Sequence, residues 1–415
     1  MKNFTKKNPL PVIIFTVFID MLGFGILIPI IPLLLTDPRS EFFLLPRGAV
    51  ISQGYLILGL LTAVYPLMQF IAAPILGQLS DVKGRKKILF LSIMGTSIAY
   101  FVFALGIMLR SIPLLFISRA VDGITGGNIS VAQAAIADIT EPKNRAKTFG
   151  LIGAAFGLGF ILGPYLGGKL SDPHTLPFLN ATSPFIFAGI LSFINLISIY
   201  FNLPETNLYR RNKPVRLDQS VTNIKKAFGF KDLRIIFLTT FLVTSGFTFF
   251  TTFFGVYLIK KFHFDQGDIG DFFAYIGIWS IITQGLIIRR IAGKVSEDRV
   301  LRVTLFGLAI CILLYYLPHV WWQLFLIVPF FAIFNGLSNV NLTALLSRSA
   351  GVKVQGEILG LNSSIIALAQ IFPPVISGII AAKINPTAPI GIAALTMFLA
   401  AFVYVSGYKP RLNFE

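Results

Sequence analysis

Charged residues are scarce in this sequence of 415 residues, of which only 13% are Asp, Glu, Lys or Arg. Water-soluble proteins carry about twice that fraction of charged residues. The chain is instead 55% hydrophobic and contains 41 Phe. This composition excludes an ordinary water-soluble domain and indicates that an apolar environment surrounds most of the chain.

Cysteine and histidine are also rare. The lone Cys311 has no partner for a disulfide within the chain, so it gives no information about the redox compartment. The three histidines, His174, His263 and His319, lack the spacing of metal ligands. The apolar runs contain neither paired His or Cys residues nor a nucleophile beside a base. We therefore expect no metal, no cofactor and no enzymatic activity.

The sequence does contain many apolar runs of about 20 residues or more, the length that crosses roughly 30 Å of hydrocarbon. The first run is too long for the core of a signal peptide and is followed by further runs. The chain is therefore predicted to be an all-α, multi-pass membrane protein. The twelve predicted transmembrane helices cover residues 11–35, 51–79, 87–109, 112–138, 147–170, 184–203, 235–259, 268–291, 301–318, 321–347, 356–382 and 388–407.

A polar segment divides the twelve predicted helices into two groups of six. Residues 204–234 are rich in Arg and Lys, which predicts a linker between an N-terminal half, 1–203, and a C-terminal half, 235–415. The halves resemble degenerate copies, because helices five and eleven both contain Gly and Pro residues and a basic turn follows both helix two and helix eight. Paired halves of this kind place a substrate site between them near the middle of the bilayer.

The net charge of +17 is distributed unevenly along the chain. Most of the 35 Lys and Arg residues lie at the termini, in the linker and in the turns after even-numbered helices. Because Lys and Arg accumulate on the cytoplasmic side of membrane proteins, both termini and the linker are predicted to be cytoplasmic. We expect membrane lipids, and not nucleic acid, as partners, because the basic residues lie in short turns without interleaved aromatic residues.

The turn between the second and third predicted helices is the most distinctive motif. It reads GQLSDVKGRKK, with Gly77, Asp81, Gly84 and Arg85 at fixed spacing. This pattern resembles the loop signature of the major facilitator superfamily, GxLaDrxGRkxxl. The alternative interpretation is a basic turn that only determines the topology.

Further motifs, in the expected order and on the expected helices, resemble the drug/proton antiporter branch of that superfamily and are similar to tetracycline-efflux proteins. The resemblance covers nearly the whole chain. It implies twelve helices in a bacterial inner membrane, a functional monomer, a small-molecule substrate and a proton gradient as the energy source. The motif residues are Asp20, Gly23, Gly25, Pro29 and Pro32; Arg119, Gly123, Gly126 and Gly127; Ala137 to Thr140, Arg145, Phe149 and Gly150; Gly153 to Gly168; Leu203 to Thr206; and Gln355, Gly356 and Gly360.

Three ionisable residues within the predicted helices are candidates for proton coupling. Asp20 lies about nine residues past Pro11, roughly 14 Å along a helix and near mid-membrane. Arg119 and Asp122 are three residues apart and share a helix face. A charge in the bilayer centre costs at least about 2.5 kcal/mol, so we expect these residues to bind and release protons, with Asp20 as the preferred carrier. Alternatively, Arg119 and Asp122 form an ion pair that only packs the helices.

The resemblance also implies a charge relay of Asp81, Arg85 and Asp138, which would hold the two halves in the outward-open state. We expect Gly163-Pro164 to bend helix five and so to seal the path through the protein on one side of the membrane. The alternative is that the glycines of helix five only allow close packing against other helices. The residues of this predicted conformational motif are Gly77, Gly84, Gly163, Pro164, Gly167 and Gly168.

Polar and aromatic side chains within the predicted helices are candidates for the substrate cavity. Helix–helix hydrogen bonds, or contact with lipid for the aromatic residue, are the alternatives. The candidates are Tyr65, Gln69, Asn195, Phe250, Gln284, Asn335, Asn339 and Gln370.

The expected function is therefore secondary active transport, with proton-coupled export of small amphipathic or drug-like molecules as the first hypothesis. Uptake of a nutrient or metabolite by a proton symporter or facilitator is the second hypothesis and uses the same fold. The glycine-rich helix five favours export, by analogy alone.

Overall fold

Apolar runs in hydrocarbon satisfy their backbone N–H and C=O groups within one segment only by forming helices. The computed structural model agrees, because all regular secondary structure in the described ranges is helical. Part of the predicted linker, 209–214 and 231–232, and both ends of the chain lie outside these ranges. The structure describes residues 8–46, 48–141, 145–208, 215–230, 233–291, 293–349 and 355–409.

The helices follow one another with short connections. In the first part of the chain they are α1 (Leu10–Thr36), α2 (Ile51–Lys83), α3 (Arg85–Met108), α4 (Ile112–Thr125), a 3₁₀ segment (Gly126–Asn128), α5 (Ile129–Ile139), α6 (Arg145–Ser171) and α7 (Ser183–Asn202). The remaining helices are α8 (Gln219–Gly229), α9 (Arg234–Phe262), α10 (Gln266–Ile282), a π-helical segment (Thr283–Ile287), α11 (Ile288–Ile291), α12 (Glu297–Leu314), α13 (Trp322–Ser349), α14 (Gln355–Ala369), α15 (Phe372–Lys383) and α16 (Ala388–Gly407).

Ten helical stretches in the described ranges are long and apolar enough to cross a membrane. They coincide with ten of the twelve predicted helices, and the exceptions are helix four and helix nine. The all-helical, multi-pass architecture is thus confirmed, whereas the count of twelve stays a prediction.

Predicted helix four is not one uninterrupted α-helix. It consists of α4 and α5, joined by the 3₁₀ segment Gly126–Asn128. Two consecutive glycines weaken an α-helix by about 1 kcal/mol each, which favours the tighter turn at this point. The interruption places Asn128, which is fully buried, inside the bundle.

Predicted helix nine differs because its first turn is highly charged. The helix begins at Glu297, four residues before the predicted start, and Asp298 follows. Acidic residues interact favourably with the positive end of a helix dipole. Arg302 forms an ion pair with Asp298 one turn later, so only the later part of α12 is apolar.

Predicted helices eight and eleven are also interrupted. The first contains the π-helical segment Thr283–Ile287. The second has a turn at Gln370 and Ile371, between α14 and α15, where each backbone N–H donates to the carbonyl oxygen three residues earlier. The second break precedes Pro373 and Pro374, which supply no backbone N–H for a helix that continues from α14. A short helix, α8, lies within the predicted linker, where the sequence indicated only a polar connection.

The chain forms two compact units. The first contains Met1–Ala49, Val64–Ser220 and Asp265–Phe273. Its apolar core brings together α1, α3, α5, α6 and α7 around fully buried side chains such as Leu89 and Val131.

The second unit contains Val50–Ala63, Val221–Phe264 and Ala274–Glu415. Its core is aromatic: the rings of Phe250 and Phe254 lie 4.4 Å apart, and both pack against Tyr315. These boundaries do not test the predicted division at 204–234, which stays a prediction.

Candidate functional site

A buried carboxylate lies in the middle of α1. Asp20 is about 15 Å along this helix of 27 residues, and only 4% of it is exposed. Its Oδ2 atom has no hydrogen-bond partner among the described residues. Asn128 and Asp122 face it from the 3₁₀ segment and from α4. A buried oxygen without a partner is costly, so it is a natural position for a proton.

Beside Asp20 lies a buried ion pair. Arg119 Nη1 and Asp122 Oδ2 are 2.6 Å apart, and the two side chains are only 4% and 5% exposed. The guanidinium also lies over the ring of Tyr65, with 4.5 Å between Cζ and the ring centroid. The sequence predicted that Arg119 and Asp122 share a face, and the structure brings Asp20 to the same place.

Tyr65 and Gln69 connect α2 to this cluster. Gln69 Nε2 donates hydrogen bonds to Tyr65 Oη at 3.3 Å and to the carbonyl oxygen of Gly126 at 3.0 Å. The helices approach closely because α4 presents glycine: a Cβ atom on Gly123 would lie 2.5 Å from the Tyr65 carbonyl oxygen. A Cβ atom on Gly127 would likewise lie 2.8 Å from Cα of Ala73.

Two residues of the cluster were not predicted from the sequence. Gln69 was selected because it is a polar residue within a predicted helix. Asn128 meets the same criterion and could have been found in the same way. Tyr100 of α3 is buried, interacts electrostatically with Asp20 and Asp122, and places its hydroxyl where a side chain at Gly23 would be. A single Tyr in an apolar run carries no distinguishing signal.

The cluster can change its charge by one proton. Arg119 and Asp122 neutralise each other, so ionised Asp20 leaves one net negative charge and protonated Asp20 leaves none. A low dielectric makes such a net charge expensive. The arrangement can therefore bind either a proton or a positively polarised group from another molecule.

The three predicted relay residues meet at the turn between α2 and α3. Arg85 Nη2 lies 2.6 Å from Asp81 Oδ1, and Arg85 Nε lies 3.0 Å from Asp138 Oδ2. Arg85 Nη1 also donates to Ser80 Oγ at 2.5 Å. All of these residues belong to the first unit, so the two ion pairs of Arg85 lie within that unit.

The residues after α7 complete this turn, although the sequence indicated them only as part of a motif. Glu205 Oε1 accepts hydrogen bonds from the backbone N of Arg85 at 2.8 Å and of Asn207 at 2.9 Å. The side-chain Nδ2 of Asn207 donates to the carbonyl oxygen of Asp81 at 3.0 Å. Gly84 has a φ of 99°, and the Glu205 carboxylate occupies the space where a side chain would lie.

The glycines of α6 lie against α1. A Cβ atom on Gly163 would lie 2.7 Å from Cα of Gly25, and one on Gly167 would lie 2.6 Å from the carbonyl oxygen of Ile26. Pro164 contacts Gly25, and α6 continues through it from Arg145 to Ser171. These contacts are those of close helix packing, and the predicted bend stays a prediction.

Other glycines of the predicted conformational motif have different neighbours. A Cβ atom on Gly168 would lie 2.8 Å from Cα of Gly270, at the start of α10. Gly77 is less constrained, because a Cβ atom there would lie 3.4 Å from Ser130 Oγ.

Two predicted cavity residues have packing roles in the structure. Asn195 is fully buried, and its Nδ2 donates to Thr16 Oγ1 at 3.0 Å between α7 and α1. Phe250 is buried in the aromatic core of the second unit, 5.2 Å from the ring of Phe331. Asn195 thus has the packing role that was the alternative for the polar candidates. Phe250 is buried among aromatic rings.

The remaining cavity candidates are in the second unit. Gln284 is exposed within the π-helical segment, and Gln370 lies at the break between α14 and α15. Asn339 Nδ2 donates to Asn335 Oδ1 at 3.0 Å. Asn339 also borders a small cavity of about 40 Å³, whose other polar lining residues are Thr240, Thr244, Thr343 and Asn362.

A bundle of membrane-length helices that buries a titratable cluster at mid-helix is typical of a transporter. The family model described as the Major Facilitator Superfamily matches residues 13–372 and 236–413, and the chain belongs to this superfamily.

Proteins similar to this chain include tetracycline and multidrug resistance proteins. Tetracycline resistance protein, class H, of Pasteurella multocida is 31% identical over 376 residues, covering 89% of this chain and 88% of the relative. Multidrug resistance protein 1 of Bacillus subtilis (strain 168) is 29% identical over 408 residues, covering 98% of both. The resemblance predicted from the motifs is thereby confirmed.

Solved structures with the same fold include the human organic anion transporter MFSD10 (TETRAN), with a TM-score of 0.73 and 24% identity over 95% of this chain and 98% of that chain. The D-xylose-proton symporter has a TM-score of 0.73 and 17% identity, covering 95% and 96%. These likenesses concern the fold alone. As a member of the Major Facilitator Superfamily, with relatives that are resistance proteins, the chain is a multi-pass membrane transporter and not an enzyme.

Proposed function

We propose that this transporter is a proton-coupled antiporter that exports small amphipathic, drug-like molecules by alternating access. The observation that carries the proposal is the unpartnered Oδ2 of buried Asp20 beside the Arg119–Asp122 ion pair. Relatives named for tetracycline and multidrug resistance support export of drug-like molecules.

Exchange follows from the charge of the cluster. When Asp20 is ionised, the net negative charge attracts a cationic or hydrogen-bond-donating group of the substrate. When Asp20 is protonated, this attraction is lost. Proton and substrate therefore exclude each other, and a proton moving down its gradient displaces a substrate molecule.

Aromatic rings near the cluster support an amphipathic substrate. The ring centroid of Phe24 lies 6.0 Å from that of Tyr65 and 6.5 Å from that of Phe160. A molecule with a polar group and a flat apolar body fits such surroundings, because the rings contact the body and the charged cluster contacts the polar group.

The proposal includes the topology expected from the sequence. Twelve transmembrane helices form two halves, both termini are cytoplasmic, and the protein acts as a monomer in a bacterial inner membrane. The proton gradient is the sole energy source, without a metal or organic cofactor and without nucleic acid. The two resistance proteins compared above are bacterial, which is consistent with this location.

Proton movement in proteoliposomes tests the proposal. Purified protein is reconstituted with a pH-sensitive dye in the lumen, and a panel of compounds that includes tetracyclines is added outside. Antiport raises the luminal pH as substrate enters, because protons leave the compartment that the substrate enters. Symport, the second hypothesis, lowers the luminal pH, and a facilitator leaves it unchanged.

A further inference from the structure

A cleft of about 480 Å³ lies beside the turn between α2 and α3, at one end of the membrane-length helices. Three lysines, two aromatic residues and one acid surround it. We propose that this cleft binds the headgroup of an anionic phospholipid from the surrounding membrane. The lining residues are Lys83, Lys86, Lys87, Phe90, Tyr200 and Glu205.

The lining has a positive charge that is available to a ligand. Lys83 and Lys87 are exposed. Lys86 Nζ donates one hydrogen bond to the carbonyl oxygen of Tyr200 at 2.7 Å, and an ammonium group has two more hydrogens to donate. The carboxylate of Glu205 already accepts hydrogen bonds from the backbone N of Arg85 and of Asn207, so it offsets only part of the charge.

The aromatic residues suit the boundary between headgroups and hydrocarbon. The rings of Tyr200 and Phe90 lie 6.1 Å apart, and the Lys86 ammonium lies 5.8 Å from the Tyr200 ring centroid. Tyrosine is enriched at this boundary because its ring is apolar and its hydroxyl is polar. The cleft therefore combines phosphate-binding ammonium groups with rings that contact the glycerol region.

An exposed apolar wall leads away from the cleft. On α3, which begins at the cleft, Leu91, Met94 and Ile98 are exposed and extend over about 10 Å. On α7, which ends at the cleft and packs against α3, Phe193 and Ile197 are exposed. A soluble phosphate needs no such wall, whereas the acyl chains of a phospholipid lie along it.

The charge distinguishes between classes of phospholipid. A zwitterionic headgroup would bring its ammonium group, as well as its phosphate, toward three lysines, whereas the headgroup of phosphatidylglycerol brings no positive charge. Basic pockets at the membrane surface favour anionic lipids for this reason.

Native mass spectrometry of the purified protein, titrated with phosphatidylglycerol or phosphatidylcholine of equal chain length, tests the proposal. The wild type should retain phosphatidylglycerol preferentially. Each lysine near the surface changes the affinity about fivefold, so Lys83→Gln/Lys87→Gln should bind phosphatidylglycerol roughly thirtyfold more weakly. The matched control Lys225→Gln/Lys294→Gln, which removes two exposed lysines elsewhere, should stay within about threefold of the wild type.

Three results would overturn the proposal: equal retention of both lipids, equal weakening in the control variant, or displacement of bound lipid by glycerol 3-phosphate at millimolar concentration. The last result would assign the cleft to a soluble phosphate compound. If the double variant does not purify as a monodisperse protein, Lys87→Gln alone should weaken binding about fivefold, and an unchanged affinity would equally overturn the proposal.

Discussion

Asp20 and Asp122 are both buried carboxylates, yet their surroundings give them different roles. Asp122 accepts a hydrogen bond from Arg119 at 2.6 Å, so its charge is compensated. One oxygen of Asp20 lacks a partner among the described residues. The charge of Asp122 therefore depends on its partner, whereas the charge of Asp20 depends on a proton or a substrate.

We expect Asp20→Asn to abolish the dependence of transport on the proton gradient. The amide keeps the size of the side chain but cannot bind and release a proton in this pH range, so accumulation against a gradient should fall to the uncoupled level. Exchange of labelled for unlabelled substrate should become independent of pH and should weaken, because the neutral amide lacks the charge that attracts the substrate. Uptake into inverted vesicles, measured with and without an imposed pH gradient, provides both values.

Asp37→Asn is a control for this experiment. Asp37 lies directly after the end of α1, the helix that contains Asp20, but it forms an ion pair with the exposed Arg39. It should keep gradient-driven transport. Full proton-driven accumulation by Asp20→Asn would refute the role of Asp20 and would transfer the proton-carrying role to Asp122.

The second prediction separates coupling from packing at Arg119. Arg119→Ala leaves Asp122 buried without its cation, and breaking a buried pair costs about 3–5 kcal/mol. Expression and transport should both fall. The neutral pair Arg119→Gln/Asp122→Asn removes both charges, so expression, measured by fluorescence-detected size-exclusion chromatography, should recover while proton-coupled transport should not.

An ion pair that only packs the helices gives a different result in the same experiment. The neutral pair would then restore expression and transport together. Normal transport by Arg119→Ala alone would exclude both roles.

At the scale of elements, α6 approaches α1 because small residues recur on one of its faces. Gly159, Gly163 and Gly167 are each four residues apart, and a Cβ atom on any of them would meet the α1 backbone or the first atoms of its side chains within 2.8 Å. Close approach of this kind increases dispersion contacts between helices where no hydrophobic effect acts. The glycine pattern thus allows α6 to pack closely on α1.

Gly163→Ala should therefore destabilise the protein by about 1–3 kcal/mol, the usual effect of overpacking. The added methyl group would lie 2.7 Å from Cα of Gly25. Gly153→Ala on the same helix is the matched control, because no atom lies within 4 Å of the added carbon. The control should leave stability unchanged or raise it slightly, since Ala favours a helix more than Gly does.

Thermal unfolding in detergent compares the two variants. An equal Tm for Gly163→Ala and wild type would show that α1 and α6 can separate without loss of stability, and the close-packing role of Gly163 would be wrong.

The sequence was sufficient to predict the long helices, because apolar length is a strong and local signal. It was also sufficient to predict that Arg119 and Asp122 share a face, since helical periodicity fixes residues three apart. The break at Gly126–Asn128 was accessible in principle, because two glycines precede a polar residue. The π-helical segment Thr283–Ile287 carries no comparable signal.

Contacts between distant segments could not be predicted in the same way. Glu205 reaches the backbone N of Arg85 across 120 positions of the chain, and Tyr100 reaches Asp20 from another helix. Such partners depend on how the helices pack, and one sequence without tertiary structure does not determine this packing. Asn195 is another example, because its hydrogen-bond partner Thr16 lies on α1, 179 positions away in the chain.

At the scale of the whole molecule, the turn between α2 and α3 connects three distant parts of the chain. Arg85 joins Asp81 to Asp138, and Glu205 binds the backbone of the same turn. Asp81 and Asp138 are 38% and 27% exposed, so water can solvate both when Arg85 is removed. The contribution of Arg85 to folding is therefore smaller than that of Arg119, and its effect should fall on the transport cycle.

We expect Arg85→Ala to lower the turnover rate about tenfold while the equilibrium affinity for substrate stays within about threefold of the wild type. A change of about 1.4 kcal/mol in the relative free energy of two conformations alters their ratio tenfold, without any change at the binding site. Arg216→Ala, which removes a cation that is 60% exposed and paired with Asp218, is the control and should keep the wild-type turnover rate.

The conformational origin of this effect can be measured separately. The lone Cys311 is buried and can be replaced by Ser, which provides a background for introduced cysteine pairs across the end that carries the α2–α3 turn. If Arg85 stabilises the closed form of that end, crosslinking of these pairs should decrease in Arg85→Ala. Unchanged crosslinking together with a large loss of affinity would place Arg85 in the substrate site, because only a direct contact lowers affinity without changing the populations of the two forms.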